Sequence, residues 1–497
     1  MLFFSSTKRG RSPQAGITTL LVIGFMGVFM VILGTVTSYA LEQARYGRGL
    51  FAREQALHIA DAGLEYYRWF LAHNPSILVA GSGLVSPYTY SINDPEAANV
   101  GNAVITASPS MQCGALQWLD VTSVGRSIAG VGFPRTLNAR YMKRSIAEYA
   151  FLYNSGVWFG STNVGSGPYF SNNGIRMDGT TNSTVSAAVS QMYCDSSFGC
   201  SPASWQNGVF GNGSNSTLWK YPASTVDFSG MALNFTTLKA YAQATGVMLN
   251  PTSVTVAGIT QGSTFSSVGA SDNKGFHLVF KSDGTIDVYR VTATNGDTVY
   301  SYNDVVGDFY YSYPIIASQT FVANVTPPSG CALIYSQAKT WIEGTVSGKM
   351  TLIVADTGAY VPSIIFNNNL TYATTDGTTG LTAVAEGSLL LGLEVPNNMT
   401  LRGIFVAQTG LYGRDYYIAS SGYLPAADYQ YVTRTSLTVA GTIVSNQRGA
   451  VCWSSGSSCA SGFLARNNSY DRVLAFAPPP FTPAATTDFS YVLWREQ

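Results

Sequence analysis

The chain has 497 residues, of which 11% are charged, against roughly a quarter in an average soluble domain. Lys plus Arg and Asp plus Glu both total 27, which argues against a bulk basic surface for coating nucleic acid and against an acidic solvating tail. Hydrophobic types at 46% and aromatics at 13% exclude intrinsic disorder and supply apolar side chains for several cores, about three at the usual domain size.

The leader MLFFSSTKRGRSPQAG carries Lys8, Arg9 and Arg11, and from Ala15 to Leu41 no residue is charged, a run of 27 positions. A membrane-spanning helix needs about 20. A cleaved secretory signal is the plainer alternative, but its apolar core runs only ~7–15 residues and ends at a small-x-small site that is absent here. Arg45, Arg48 and Arg53 follow the span, opposed by Glu42 and Glu54, so the Lys/Arg count ties on its two sides. The amino terminus is placed in the cytoplasm because the large, Lys-poor, cysteine-bearing remainder reads as an exported domain.

Helical character continues beyond the span. Leu50, Leu57, Leu64 and Leu71 recur every seven residues with Ala60 and Tyr67 between them, which predicts one packed face. Glu65 and Arg68 can pair at i,i+3 on another face. Asn74-Pro75 ends the pattern, since the residue before proline avoids helical geometry. An unbroken helix from Ile17 to His73 would be roughly 85 Å long. Gly47 and Gly49 are the expected places for a bend.

These residues carry a resemblance. The basic leader ending in Gly16, then Ile17-Thr18-Thr19-Leu20-Leu21 and a long apolar helix, resembles a type IV prepilin. The stretch Arg53-Glu54-Gln55-Ala56-Leu57-His58-Ile59-Ala60-Asp61-Ala62-Gly63-Leu64-Glu65 is similar to the stem of PilX-type minor pilins. The likeness is strongest over residues 10–73. It implies that a prepilin peptidase cuts Gly16–Ile17 and methylates Ile17. It also implies that the partners are other pilin subunits, the pilus assembly machinery and, before assembly, membrane lipid. Major pilins place a glutamate five residues after the cut; here that position is Leu21, as in pseudopilins at a fibre tip. A minor subunit, at the tip or in an initiation complex, is therefore the expectation, first in the inner membrane and then in an extracellular pilus.

After Pro75 short β runs take over: Leu84–Asn93, Ala103–Ala107, Leu116–Val124 and Ala139–Leu152. One helix is expected near Thr236–Gly246 and one hairpin over Phe276–Tyr289, turning at Asp283-Gly284. Between Trp341 and Ser445 related β segments return irregularly, with leucines 352, 381, 401 and 437 leading them. That spacing suits an irregular β-solenoid or stacked sheets. Asn367, Asn368, Asn369, Asn397 and Asn398 are expected at turns, an Asn ladder being the alternative. A polyproline link, Pro478–Pro480, is expected to precede a closing strand, Phe489–Trp494, with Trp494 docked on the head.

The expected fold class is α+β: a long N-terminal transmembrane and stem α-helix followed by a large, mainly β head, partly irregular β-solenoid or stacked sheets. The expected divisions are a basic leader over 1–16, the helix over 17–75, a β-rich pilin-like segment over 76–150, a β-rich head with hairpins and insertions over 151–340, and a solenoid-like head over 341–497.

Six cysteines are present, at 113, 194, 200, 331, 452 and 459, with no C-x-x-C pair. With only His58, His73 and His277 to join them, a zinc site has little support. The close pairs Cys194/Cys200 and Cys452/Cys459 suit disulfides in an oxidising compartment, reduced thiols being the alternative. No nucleophile elbow, P-loop, dinucleotide fingerprint or H-E-x-x-H is found, so no enzyme and no cofactor or metal is expected. His277, in a predicted strand, reads as a packed or edge histidine rather than a catalytic one. The rival is a membrane-anchored surface adhesin or carbohydrate-active β-solenoid protein that never enters a pilus. An enzyme of that kind would need paired acids, drawn from Asp356, Asp376, Glu343, Glu386 and Glu394, which lie in or beside turns.

The last 97 residues hold seven arginines (402, 414, 434, 448, 466, 472, 495), no lysine and five acids. Tyr412, Tyr416, Tyr417, Tyr423, Tyr429 and Tyr431 lie among them. This mixture suits DNA or surface glycan binding, though a surface-soluble β head that uses arginine for hydrogen bonds is the favoured reading. The zero net charge itself is a property of the precursor. Residues 1–16 carry three positive charges, so a chain cut at Gly16–Ile17 keeps 24 basic and 27 acidic side chains.

Overall fold

The computed structural model describes residues 14–74, 87–129, 133–295, 298–303, 307–312, 315–358, 360–455 and 458–497. The leader residues Lys8, Arg9 and Arg11 lie outside the described residues, as do Pro75 and positions 84–86 of the first expected strand.

One helix runs from Gln14 to His73. Gly47 and Gly49 sit inside it with no break in helical geometry. Its two halves have different environments. From Gly16 to Phe51 every residue except Gly49 is exposed, whereas from Ala52 onward a stripe is buried. That stripe is Ala52, Ala56, Ile59, Ala60, Leu64, Tyr67 and Leu71, with Gly63 within it. The three-to-four spacing is that of one helix face.

This face covers an antiparallel sheet ordered Tyr88–Asn93, Asn99–Gln112, Ala115–Ser127, Arg135–Ser145 and Ala484–Glu496. The sheet turns Ala103, Ile105, Leu119, Val121, Leu137, Ala139 and Tyr141 toward the helix, in strict alternation along the strands. Contact is close. A Cβ on Gly63 would lie 2.6 Å from both Ala103 Cβ and Ser123 Oγ, and one on Gly125 would run into the backbone of Ala56 and Ala60.

The heptad leucines mark the packed face only in part. Leu64 and Leu71 are buried, Leu57 is half-buried, and Leu50 is 46% exposed, outside the contact. A strict seven-residue repeat drifts by ~20° per heptad around a straight helix. The sheet selects the alanine and glycine row, because small residues let the backbones approach.

The expected run Ala139–Leu152 is two strands. Ser145 Oγ accepts from the Ala147 amide, 3.1 Å away, and caps a 3-10 turn over Ile146–Glu148. The chain then enters a parallel β-solenoid at Phe151–Tyr153. On one face of the solenoid the ladder stacks Val247–Asn250, Leu333–Ser336, Lys349–Val354 and Gly380–Ala385. It continues through the strands Asn398–Arg414 and Thr433–Gln447, then Phe151–Tyr153, Tyr169–Ser171, Val185–Ala187 and Trp219–Lys220. Spatial order is therefore not chain order. The coils formed last in sequence lie between the coil holding Gly380–Ala385 and the coil that starts at Phe151.

The chain travels from the Trp219–Lys220 end to the Val247 end as a strap over the outer side of this ladder. The strap ends in the helix Phe235–Thr245, capped by Asn234, whose Oδ1 accepts from Thr237 N at 3.1 Å. Met231, Leu238 and Ala242 cover the outward row Leu333, Tyr335, Ile353, Val384, Ile404 and Val444. The inward row, including Phe276, Leu278, Ile342, Phe366, Leu381, Phe405, Leu437 and Phe151, forms the largest core.

The hairpin over Gly275–Phe280 and Ile286–Thr294 turns at Asp283-Gly284, where Gly284 has φ of +87° and Asp283 Oδ1 accepts from Thr285 N at 2.9 Å. Thr340–Val346 pairs in parallel with Gly275–Phe280 on one side and Ile364–Tyr372 on the other. The ladder thus runs through position 341 without a break, and solenoid coils occupy much of 151–340.

Three disulfides join Cys113 to Cys331, Cys194 to Cys200 and Cys452 to Cys459. The first ties the tip of the helix-covered sheet to the solenoid, where the Cys113 amide also donates to Gly330 O at 2.8 Å. Pro478, Pro479 and Pro480 are buried against the solenoid rather than forming an exposed link. Lys349 Nζ donates to Ala477 O at 2.6 Å, and Thr351 Oγ1 donates to Pro480 O. The closing strand Ala484–Glu496 then pairs with Arg135–Ser145. Trp494 stays 53% exposed beside the stem, its Nε1 donating to Asp61 at 3.3 Å.

Candidate functional site

The first candidate is the exposed half of the long helix. A helical segment that is apolar all round and, among the described residues, is not packed into its own fold requires another apolar environment. Residues 16–41 rise about 39 Å at ~1.5 Å each, enough for a hydrocarbon layer of ~30 Å. Two of its hydroxyls are served within the helix: Thr35 Oγ1 donates to Ile32 O at 2.8 Å and Thr37 Oγ1 to Leu33 O at 2.7 Å, as a bilayer demands. The first charges follow at once, with Arg45 and Glu42 paired at 3.3 Å. Gly16 and Ile17 lie in the first turns of the helix, and Leu21 is exposed.

The second candidate is the arginine-rich C-terminal segment. Arg414 is buried and donates to Gly392 O, Leu393 O, Tyr431 O and Val432 O at 2.7–3.3 Å, stitching three turns of the solenoid together. Arg466 donates to Phe463 O and Thr162 Oγ1, and Arg434 is buried over the Tyr431 ring. These three arginines are internal donors. Arg448 bonds Ser197 and covers the Phe198 ring at 3.9 Å.

His277 is buried in its strand, with Nδ1 2.7 Å from Gln319 Oε1 and Nε2 2.8 Å from Glu343 Oε1. Burial pushes the Glu343 carboxyl up. The hydrogen bond and charge interaction with His277, together with Asn367 and Asn368, outweigh burial and hold it below the ordinary value. A carboxylate depressed in the fold stabilises it above the unfolded value, about 4.3, and loses that contribution as pH falls through the folded value. Urea midpoints of the wild-type chain should therefore fall as the pH drops below about 4.3, and Glu343→Gln should flatten that part of the profile. An unchanged acid slope in the variant would remove Glu343 from this role.

The remaining acids serve turns or neighbours. Asp376 Oδ1 accepts from Thr378 N at 3.0 Å, and Glu386 Oε2 accepts from Asp356 N at 2.9 Å. Burial, then the Asp356 charge, raises Glu386; burial, then Asp428, raises Glu394. The asparagines do not stack as a ladder. Asn369 Oδ1 accepts from Thr400 N, Asn398 Oδ1 from Ser436 Oγ, and Asn367 Nδ2 donates to Glu343.

A cavity of about 1440 Å³ opens on a third side of the solenoid. There the stack Leu389–Leu391 and Tyr412–Arg414 ends with Arg414 N bonded to Ala450 O. The separate three-stranded stack Val157–Phe159, Ile175–Met177 and Val209–Phe210 begins beyond it. Among the described residues the two stacks do not pair, and the seam between them is lined by Trp158, Asp178, Tyr416, Arg448, Trp453 and Arg466.

Sequence reasoning did not reach the Cys113–Cys331 bond, whose partners are separated by 218 positions. It also passed over the small residues at 52, 56 and 63, which continue the row of Ala60 and which three-to-four spacing could have marked.

Helix and head together define a β-solenoid protein carried on one apolar helix long enough to cross a membrane. No family model and no curated protein matches the chain. Among solved structures it is similar to the competence-associated pilin ComZ from Thermus thermophilus. The TM-score is 0.30 with 13% identity, over 90% of this chain and 97% of that one. A likeness that loose assigns neither fold nor function, which rest on this chain's own residues.

Proposed function

We propose that the chain is a minor type IV pilin or pseudopilin of the PilX type, a structural subunit in pilus assembly. The observation that carries this reading is the divided helix: one half packs on the head's own sheet, and residues 16–41 are apolar on every side and exposed, with no packing partner among the described residues. Such a segment can rest in lipid as a monomer and exchange lipid for neighbouring helices in a fibre, with the β head outward. Cleavage between Gly16 and Ile17 would remove the basic leader, and Leu21 would leave no carboxylate to be neutralised in the apolar phase.

Mass spectrometry of fibres from a strain with active prepilin peptidase should find a form that begins with N-methylated Ile17. An intact amino terminus alone would count against the proposal. A Gly16→Ala chain that remains uncut yet works at the cell surface would favour the unassembled surface protein instead.

A further inference from the structure

The short hairpin Gln191–Cys194 and Ser204–Asn207 stands out from the solenoid as its own two-stranded sheet. Tyr193 and Trp205 are directly opposed in register, so their side chains share one face. Both are open to solvent, at 52% and 65%, with ring centroids 5.5 Å apart and planes at 64°. The next opposed pair on the same face is Gln191 and Asn207, both exposed. The face is an angled pair of aromatic rings flanked by two amides.

The opposite face fixes the hairpin. Met192 and Cys194 are buried, and Met192 lies over Gly174 so closely that a Cβ there would clash with its side chain. Cys194 bonds Cys200 at the hairpin end. Arg448 donates to Ser197 O at 2.6 Å and holds the connecting loop against the wall of the solenoid cavity, which Ser196 and Ser197 line. Exposed rings on so firmly held a support suffer little entropy loss on binding.

We propose that this face binds a neutral polysaccharide, the C–H face of a sugar ring lying on one aromatic ring and its hydroxyls meeting the Gln191 and Asn207 amides. Charge and size select that occupant. Between 191 and 207 the one charged side chain is Asp195, whose carboxyl is held below its ordinary value chiefly by the hydrogen bond from Ser197 Oγ. A phosphate backbone or an anionic glycan would want basic groups, and the hairpin has none. Two paired strands of four residues give a face of roughly 13 by 10 Å, on the order of 130 Å², far below the ~800 Å² per partner of a stable protein interface. Two rings and two amides match one or two sugar units.

The proposal concerns the head alone and does not depend on assembly into a fibre. Full-length chain in detergent micelles can be titrated calorimetrically with neutral hexasaccharides of the cello, laminari, manno and N-acetylchito series, with an oligothymidylate as the charged comparison. The expected result is binding of at least one neutral hexasaccharide, weakened about tenfold or more by Trp205→Ala and by Tyr193→Ala. Trp205→Phe should keep most of it, with the circular dichroism of every variant unchanged. The assignment is overturned if the wild-type chain binds none of the four sugars, or if Trp205→Ala leaves their affinity within about twofold. It is equally overturned if the oligothymidylate binds and Trp205→Ala abolishes that binding instead.

Discussion

Gly63→Leu is expected to release the stem from its sheet. The position has no room for even a Cβ beyond the present packing, since one would lie 2.6 Å from both Ala103 Cβ and Ser123 Oγ, and neither neighbour can rotate a long side chain away. Leucine adds three further carbons to that contact. Overpacking of this kind costs about 3 kcal/mol, concentrated on the junction between Ala52 and Leu71. Thermal unfolding of the full chain in detergent should show an earlier transition, with new protease cuts within residues 52–73. Gly47→Ala is the matched comparison, because nothing lies within 4 Å of a Cβ there. It should stabilise the helix by up to about 1 kcal/mol. If Gly63→Leu left both midpoint and cleavage pattern unchanged, the helix would not be seated on this sheet. The same experiment bears on assembly, because a stem loose on its head cannot transmit the head's position to a helix held in lipid or in a fibre.

Arg414→Ala should have an effect of similar size in the solenoid. The guanidinium serves the carbonyls of Gly392, Leu393 and Val432, which are buried, and of Tyr431, which is half-buried, and its Nη1 and Nη2 bonds to Val432 and Tyr431 are 2.8 and 2.7 Å. Truncation leaves those acceptors without their donor, beside the cavity that Arg414 helps to line. The expected loss is about 3–5 kcal/mol, read as a shift in the urea midpoint of the head. Arg414→Met, which restores bulk without donors, should recover little of it. Arg495→Ala, at an exposed position, should stay within about 0.5 kcal/mol of wild type. A small effect of Arg414→Ala would mean that the carbonyls find other donors, and the arginine would then be open to a role outside the core. As the residue stands, its charge is spent inside the solenoid. The arginine content of the C-terminal segment is therefore a poor guide to nucleic acid binding.

How far the fold was legible can be judged from particular elements. The long helix, the helix at 235–245, the Asp283-Gly284 hairpin and the β segments from Met350 to Val444 were all readable. Each follows from features within a few residues of itself: an uncharged run, helical spacing closed by a glycine, a turn that favours positive φ, a β-branched alternation. The candidate sites were less legible. The leucine repeat pointed to the correct half of the stem but to a face that leaves Leu50 in solvent. Tyr193 and Trp205 drew no notice, because a pair twelve positions apart acquires meaning only once the register sets the rings side by side.

The sequence by itself determined an apolar helix of spanning length, a charge-poor β head and the nature of its segments, since composition and periodicity act locally. Only the tertiary structure decided the order in which the coils stack, the return of Ala484–Glu496 to Arg135–Ser145, and the union of Cys113 with Cys331. The physical reason is degeneracy. Every coil offers a neighbour the same ladder of amides and carbonyls and much the same aliphatic row. Which coil meets which is settled by contacts that no local window contains: the strap over the outer row, the buried Arg414, and the small-residue seat of the stem.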